Sequence, residues 1–239
     1  MQLTFEYLTR TLRIRHVGGP GAAVLVTVRD QTYLITARHL VETLQAGENL
    51  LVRMRGEWHQ VRVERLRVAE ADDIAVLVLP GLGGPGLGEN LMDGRVYVGQ
   101  AAAYGGYPLG LEGLAPDGHD WPIPLVKSAI YSGAVRPNGT MVFLFDTVNN
   151  KGFSGGPVWI EVGGVVRLAA IVSGYHYDRP IPVMRPREDG GEEPVPDLTV
   201  KPNSGFMKAV PIQRAVELIS ALEAEAAAAA LGAQSEARR

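Results

Sequence analysis

The chain has 239 residues, 46% of them hydrophobic, a formal net charge of −3 and no cysteine. A sequence of this size can fold as one unit around two adjoining cores without disulfides, and its charge balance gives no general electrostatic ground for binding nucleic acid. No apolar run approaches bilayer length, and the opening MQLTFEY lacks the basic-then-apolar layout of a secretion signal; with no cysteine, the expected location is cytoplasmic, with no membrane partner.

Residues 12–17, 22–28 and 32–36 are predicted strands, separated by Gly18-Gly19-Pro20-Gly21 and by Arg29-Asp30-Gln31. Strands over 50–55, 58–68 and 74–79 complete a first barrel, about 10–80. Arg53, Arg55, Arg62, Arg65 and Arg67 flank a hairpin at Gly56-Glu57 and could gather on one face. Glu57 and Glu64 interrupt that stripe, so it reads as a solvated strand face, with Val52, Met54, Val61 and Val63 turned inward. The stretch 80–94 is dense in glycine and proline and reads as a linker. It holds a literal G-x-G-x-x-G over 81–86, but Pro85, Gly86 and Gly88 forbid the helix that a dinucleotide site requires.

A second barrel over about 95–210 follows, with strands near 95–104, 125–131, 140–145, 156–162, 165–172 and 206–210. The segment 176–205, rich in proline and charge, is expected to be a long loop without secondary structure, a candidate lid. From Pro211 onward, Ile212, Ala215, Val216, Ile219 and Leu222 recur at helical spacing and should dock on the second barrel. Residues 224–230 keep helix propensity without apolar contrast, so the helix should project or fray there.

The most informative run is Gly152-Phe153-Ser154-Gly155-Gly156-Pro157. Alone it fits two patterns. A hydrolase elbow needs a helix directly after the serine and then an acid and a histidine. Instead a β-rich run follows Pro157, and only His176 lies beyond. The other pattern needs histidine, aspartate and serine in that order. His39 follows the apolar run 33–35, Asp73 precedes the apolar run 74–79, and Ser154 comes last.

On these residues the chain resembles the chymotrypsin-like serine endopeptidases, most closely the bacterial branch that includes the high-temperature-requirement proteases. Asp146 to Ser154 is similar to that branch's Asp-x-x-x-Asn-x-Gly-x-Ser run, and Gly106-Tyr107-Pro108-Leu109-Gly110 to its Gly-x-Pro-x-Gly turn. The likeness extends from about 24 to about 212 and leaves no PDZ module. It implies an all-β fold of two antiparallel six-stranded β-barrels with a C-terminal α-helix, the protease domain spanning 1–210 and the helix and tail 211–239.

The resemblance implies His39 as general base, Asp73 as its orienting acid and Ser154 as nucleophile, with the Gly152 and Ser154 amides as oxyanion hole. Asp72 is expected to be a solvated turn residue. Val148 falls where the floor of the specificity pocket is built, so an apolar floor argues against cleavage after lysine or arginine; Asp146 is assigned to structural hydrogen bonding. Ser173 is implied to support Asp73 through its hydroxyl and, with Gly174, to pair with the substrate strand. Phe153 stands where animal relatives carry the aspartate that receives a new N-terminus, so activation by N-terminal clipping is not expected. His16, His59 and His119 lack metal-ligand spacing and read as surface or loop residues, as does His176. The expected activity is peptide-bond hydrolysis without metal or organic cofactor, acting on protein or peptide substrates and gated by a regulatory protein partner. A non-catalytic peptide-binding adaptor on the same fold is the alternative; a small-ester hydrolase ranks third.

Overall fold

Three strands are apolar on both faces, and that pattern sets the architecture. Successive side chains of a strand point to opposite sides. In β2 (Gly19–Val28), Ala23 and Leu25 join one hydrophobic cluster, while Val24 and Val26 join another. β3 (Gln31–Thr36) divides Leu34 from Tyr33 and Ile35, and β7 (Ala75–Val78) divides Ala75 and Leu77 from Val76 and Val78. These strands are therefore sandwiched between two cores.

The computed structural model describes residues 1–80, 82, 90–114 and 122–236, with side chains to 231. Most of the glycine-rich run 81–86, and His119, lie outside these residues. A four-residue helix α1 (Phe5–Leu8) precedes β1 (Thr11–His16). β4 (Asn49–Met54), β5 (Glu57–Arg62) and β6 (Arg65–Val68) complete a seven-stranded antiparallel sheet in the order β5-β4-β1-β2-β3-β7-β6. The expected closed first barrel is thus an open sheet. Its edges are β5 and β6, which the sequence read as one strand over 58–68; the ladder breaks at Val63-Glu64, where both amides leave the strand pattern to donate to Glu48 O and Val78 O.

The second half is a closed six-stranded barrel, ordered β10-β15-β12-β11-β8-β9. Its strands are β8 (Ala101–Gly106), β9 (Leu125–Val135), β10 (Val142–Asp146), β11 (Pro157–Val162), β12 (Val165–Tyr177) and β15 (Asn203–Pro211). Residues 95–100 precede β8 without strand structure, against the expectation for 95–104. The expected loop over 176–205 is also corrected: β13 (Ile181–Pro186) and β14 (Glu192–Val200) pair as a separate two-stranded ribbon that continues outward from β12 and β15. Proline is tolerated here because both strands are edges.

Helix α2 (Ile212–Glu236) buries Ile212, Ala215, Ile219 and Leu222, with Val216 left exposed. It packs on both halves rather than on the second barrel alone, touching β6 and β7 as well as β12 and β15. Charged contacts tie it to the first sheet: Arg29 to Glu223 at 3.0 Å, Arg67 to Glu225, and Arg214 Nε to Asp72 Oδ2 at 2.6 Å. Asp72 is thus buried and ion-paired, not a solvated turn residue. Of the five arginines around the hairpin, Arg53 lies on Glu112 and beside Trp58, Arg65 near Glu64 and Arg67 on Glu225.

One seam between the halves runs through the serine loop. Ala22 N–H donates to Ser154 O at 2.8 Å, and Thr36 Oγ1 donates to Ala22 O at 2.8 Å. Gly155 sits against this seam at φ 80°, where an added Cβ would lie 2.0 Å from Ala22 O.

Two predictions follow from these contacts. Gly155→Ala should destabilise the protein by at least about 3 kcal/mol, because it combines a left-handed backbone with a backbone clash; a urea midpoint equal to wild type would remove the seam from the folding determinants. Arg214→Met should leave the carboxylate of Asp72, whose side chain is only 3% exposed, without its cation. Because the Arg214 side chain is 41% exposed and screened, a loss of about 1–3 kcal/mol is expected, partly recovered by adding Asp72→Asn. Calorimetry of the single and double variants checks this, and a Tm for Arg214→Met equal to wild type would refute it.

Candidate active site

His39 lies on a single 3-10 turn, Arg38–Leu40, immediately after β3. Arg38 holds that turn by donating to Ala69 O at 3.0 Å and Glu70 O at 2.6 Å, which draws the 69–73 loop toward it. Asp73, at the end of this loop, accepts twice from one residue. Its Oδ1 takes the His39 backbone N–H at 2.9 Å, and its Oδ2 lies 2.7 Å from His39 Nδ1. With Nδ1–H donating to the carboxylate, Nε2 carries the lone pair.

Ser154 follows the turn Asn150–Phe153, closed by Phe153 N–H donating to Asn150 O at 3.5 Å. Gly152, the third residue, has φ 102°, as a type II turn requires. Only glycine fits: a Cβ there would meet Tyr107 O at 2.3 Å. Tyr107 N–H in turn donates to Gly152 O at 2.9 Å, while the Tyr107 hydroxyl is buried against Thr11 O and Pro122 O. Burial and nearby Glu112 push that phenol well above its ordinary pKa. Phe153 is fully buried, edge-on to Tyr104 at 4.8 Å. Phe153 is thus a core anchor for the serine loop.

Among the described residues, the amides of Gly152 and Ser154 have no hydrogen-bond acceptor. His39, Gly152 and Ser154 line one open cavity of about 700 Å³ with Gly18, Pro20, Leu40, Tyr107, Leu109, Gly110 and Lys151. Within the described residues no hydrogen bond joins the Ser154 hydroxyl to the imidazole.

The remaining expected residues lie outside this cavity. Val148 is 55% exposed, and its carbonyl accepts from Tyr104 OH at 3.3 Å and from Lys127 Nζ. Gly174 O accepts from Asn149 Nδ2 at 3.1 Å. Among the described residues Ser173 makes no hydrogen bond to Asp73; instead it begins the segment 173–177 of β12, which pairs with β15 on one side and has no strand on the other. His16 and His59 lie in β1 and β5, and His176 lies in β12, where burial and nearby Lys208 lower its pKa; all three are strand rather than loop residues. The sequence reading passed over Lys127 and the buried Asn149. Neither had a signal of its own: the fixed asparagine of the 146–154 run is Asn150, and Asn149 falls on a variable position of it.

Comparison with known proteins places this geometry in context. No curated protein matches the sequence. Among solved structures, an inactive mutant form of Rv3671c from M. tuberculosis H37Rv superposes with a TM-score of 0.58 at 15% identity, over 92% of this chain and 89% of the other. The MamO protease domain from Magnetospirillum magneticum gives 0.54 at 16% identity, over 90% and 98%. The HtrA-type protease AlgW, solved with a decapeptide, gives 0.55 at 18% identity, over 86% of this chain but 51% of AlgW. These likenesses establish a shared fold. A family profile described as a trypsin-like peptidase domain matches residues 21–166, more than half of the sequence and enough to contain His39, Asp73 and Ser154, so the chain belongs to the trypsin-like peptidase family.

Proposed function

We propose that this chain is a serine endopeptidase in which His39, Asp73 and Ser154 act as one unit. One observation carries the reading: Asp73 grips His39 through both its carboxylate oxygens, and the imidazole shares a cavity with Ser154, whose amide and that of Gly152 have no acceptor among the described residues. In the acylation step His39 Nε2 takes the Ser154 hydroxyl proton as Oγ bonds to the substrate carbonyl carbon. The carbonyl oxygen gains the charge, and the Gly152 and Ser154 N–H groups receive it. When the C–N bond breaks, His39 returns the proton to the leaving amine. Water then attacks the acyl-serine by the same route, releasing the acid and free Ser154.

The open side of residues 173–177 suits a substrate added as an extended strand, and the AlgW structure with a decapeptide supports peptide as the ligand class. Ser173 and Gly174 would supply the pairing groups. Val148 would border the side chain preceding the scissile bond, and its apolar surface disfavours a basic residue there. The reading further places the enzyme in the cytoplasm, its activity gated by the ribbon and by a protein partner. No described helix is long and apolar enough to cross a membrane.

A fluorophosphonate probe should label wild type at Ser154, and Ser154→Ala should abolish labelling without lowering Tm. Labelling at a different serine sinks the assignment; peptide binding without any labelling favours the adaptor. His39→Ala or Asp73→Ala should reduce kcat by roughly four orders of magnitude, without additivity. The ribbon offers a separate test. Tyr177 and Asn203 are register partners, so a two-residue turn can replace 178–202 and leave the barrel intact. Peptide turnover should then change several-fold while probe labelling persists; identical kinetics on peptides and proteins would eliminate the ribbon as a gate.

A further inference from the structure

Lys127 projects from β9 to the segment that leads into the nucleophile turn. Its ammonium donates to Val148 O and, at 3.3 Å, to Asn150 Oδ1, and lies 5.9 Å from the centre of the Phe153 ring. The side chain is half-buried, and among the described residues it has no carboxylate partner. Burial lowers its pKa. Its desolvation is offset by hydrogen bonds to neutral oxygens rather than by an opposite charge, and those same bonds tie the 148–150 segment to β9.

The held segment is the one that aims the oxyanion amides. Asn150 opens the turn that presents Gly152, and its carbonyl closes that turn by accepting from Phe153 N–H. The exit of the turn is fixed without Lys127, through buried Phe153 and through Ala22 N–H on Ser154 O. The middle is fixed by Tyr107 N–H on Gly152 O. The entry depends on side chains. Beyond Thr147 N–H on Gly205 O, Thr147 Oγ1 donates to Ser128 O at 3.0 Å, Asn149 Nδ2 to Gly174 O, Tyr104 OH shares Val148 O with Lys127, and Lys127 supplies the contact to the Asn150 side chain. Exposed Lys151 adds no described tether.

We propose that Lys127 is a positioning residue for the oxyanion hole: its ammonium clamps Val148 O and Asn150 Oδ1 so that the turn holds the Gly152 amide beside that of Ser154. The clamp does for the entry limb what Phe153 does for the exit limb. The inference rests on the proposed peptidase activity. It assigns Lys127 a role in transition-state binding rather than in substrate affinity, since the ammonium is engaged by the protein's own chain.

The test compares Lys127→Met, Lys127→Arg and Asn150→Ala in the full chain. With a peptide substrate, Lys127→Met should lower kcat about 10- to 100-fold, below the 10²–10³ typical of deleting an oxyanion donor outright, with KM within about threefold of wild type. Affinity for a peptide boronic acid, which mimics the tetrahedral species, should fall in step with kcat. Affinity of an uncleaved peptide for Ser154→Ala should be the same with and without Lys127→Met. Lys127→Arg should recover part of kcat, and Asn150→Ala should lose kcat several-fold with Lys127 still present, a check that survives if Lys127→Met fails to fold. Unchanged kcat in Lys127→Met, a change confined to KM, or equal weakening of boronate and peptide would each overturn the proposal. An inactive, unlabelled wild type would overturn the peptidase reading itself, so the two failures are distinguishable.

Discussion

The hydrogen bond from Ala22 N–H to Ser154 O is the contact around which the other parts are arranged. It joins a strand of the open sheet to the serine loop of the closed barrel, and so brings His39 and Ser154, carried by different halves, to one cavity. The bond requires the serine loop to approach β2 at backbone distance. That approach leaves no volume at Gly155, and the same crowding recurs at Gly152 against Tyr107 and at Gly156, where a Cβ would lie 2.0 Å from Gly105 O. Three glycines around one serine are thus a packing requirement.

The second constraint is electrostatic. The 69–73 loop carries adjacent acids with opposite assignments: Asp73 faces His39, and Asp72 faces Arg214 on α2. Arg38 binds the loop's carbonyls from the histidine side. The loop is therefore held by cations from both directions, and the buried Asp72 carboxylate cannot leave Arg214 without becoming an uncompensated buried charge. Through Arg214, a helix from the far end of the chain contributes to how the loop carrying Asp73 is set.

What could be read from the sequence follows from the range of the interactions. β2, β3 and β7 were legible because burial on both faces leaves an uninterrupted apolar run, and the order His39, Asp73, Ser154 is visible without knowing any contact. The open edge of the first sheet was not, because Val61 and Val63 continue the alternation straight through the break at Val63-Glu64. Asp72 was misread because its partner lies 142 residues away. The ribbon was hidden by Pro182, Pro186, Pro194 and Pro196, which mark a loop in most contexts and are harmless on edge strands. Lys127 is one lysine in a strand; its meaning exists only once β9 faces the 148–150 segment.

Helix α2 divides into halves with different physics. Its docked half, through Leu222, supplies a ready nucleus, so later residues extend an existing helix instead of starting one. The last described tether is Arg67 on Glu225; beyond it, Ala227 to Leu231 are solvent-exposed, in a helix about 37 Å long in all. Those alanines hold their turns by propagation alone, one backbone bond at a time. Amide exchange along α2 should therefore form a gradient, slow near Ile219 and fast toward Leu231, the outer turns opening and closing while the rest of the molecule stays folded.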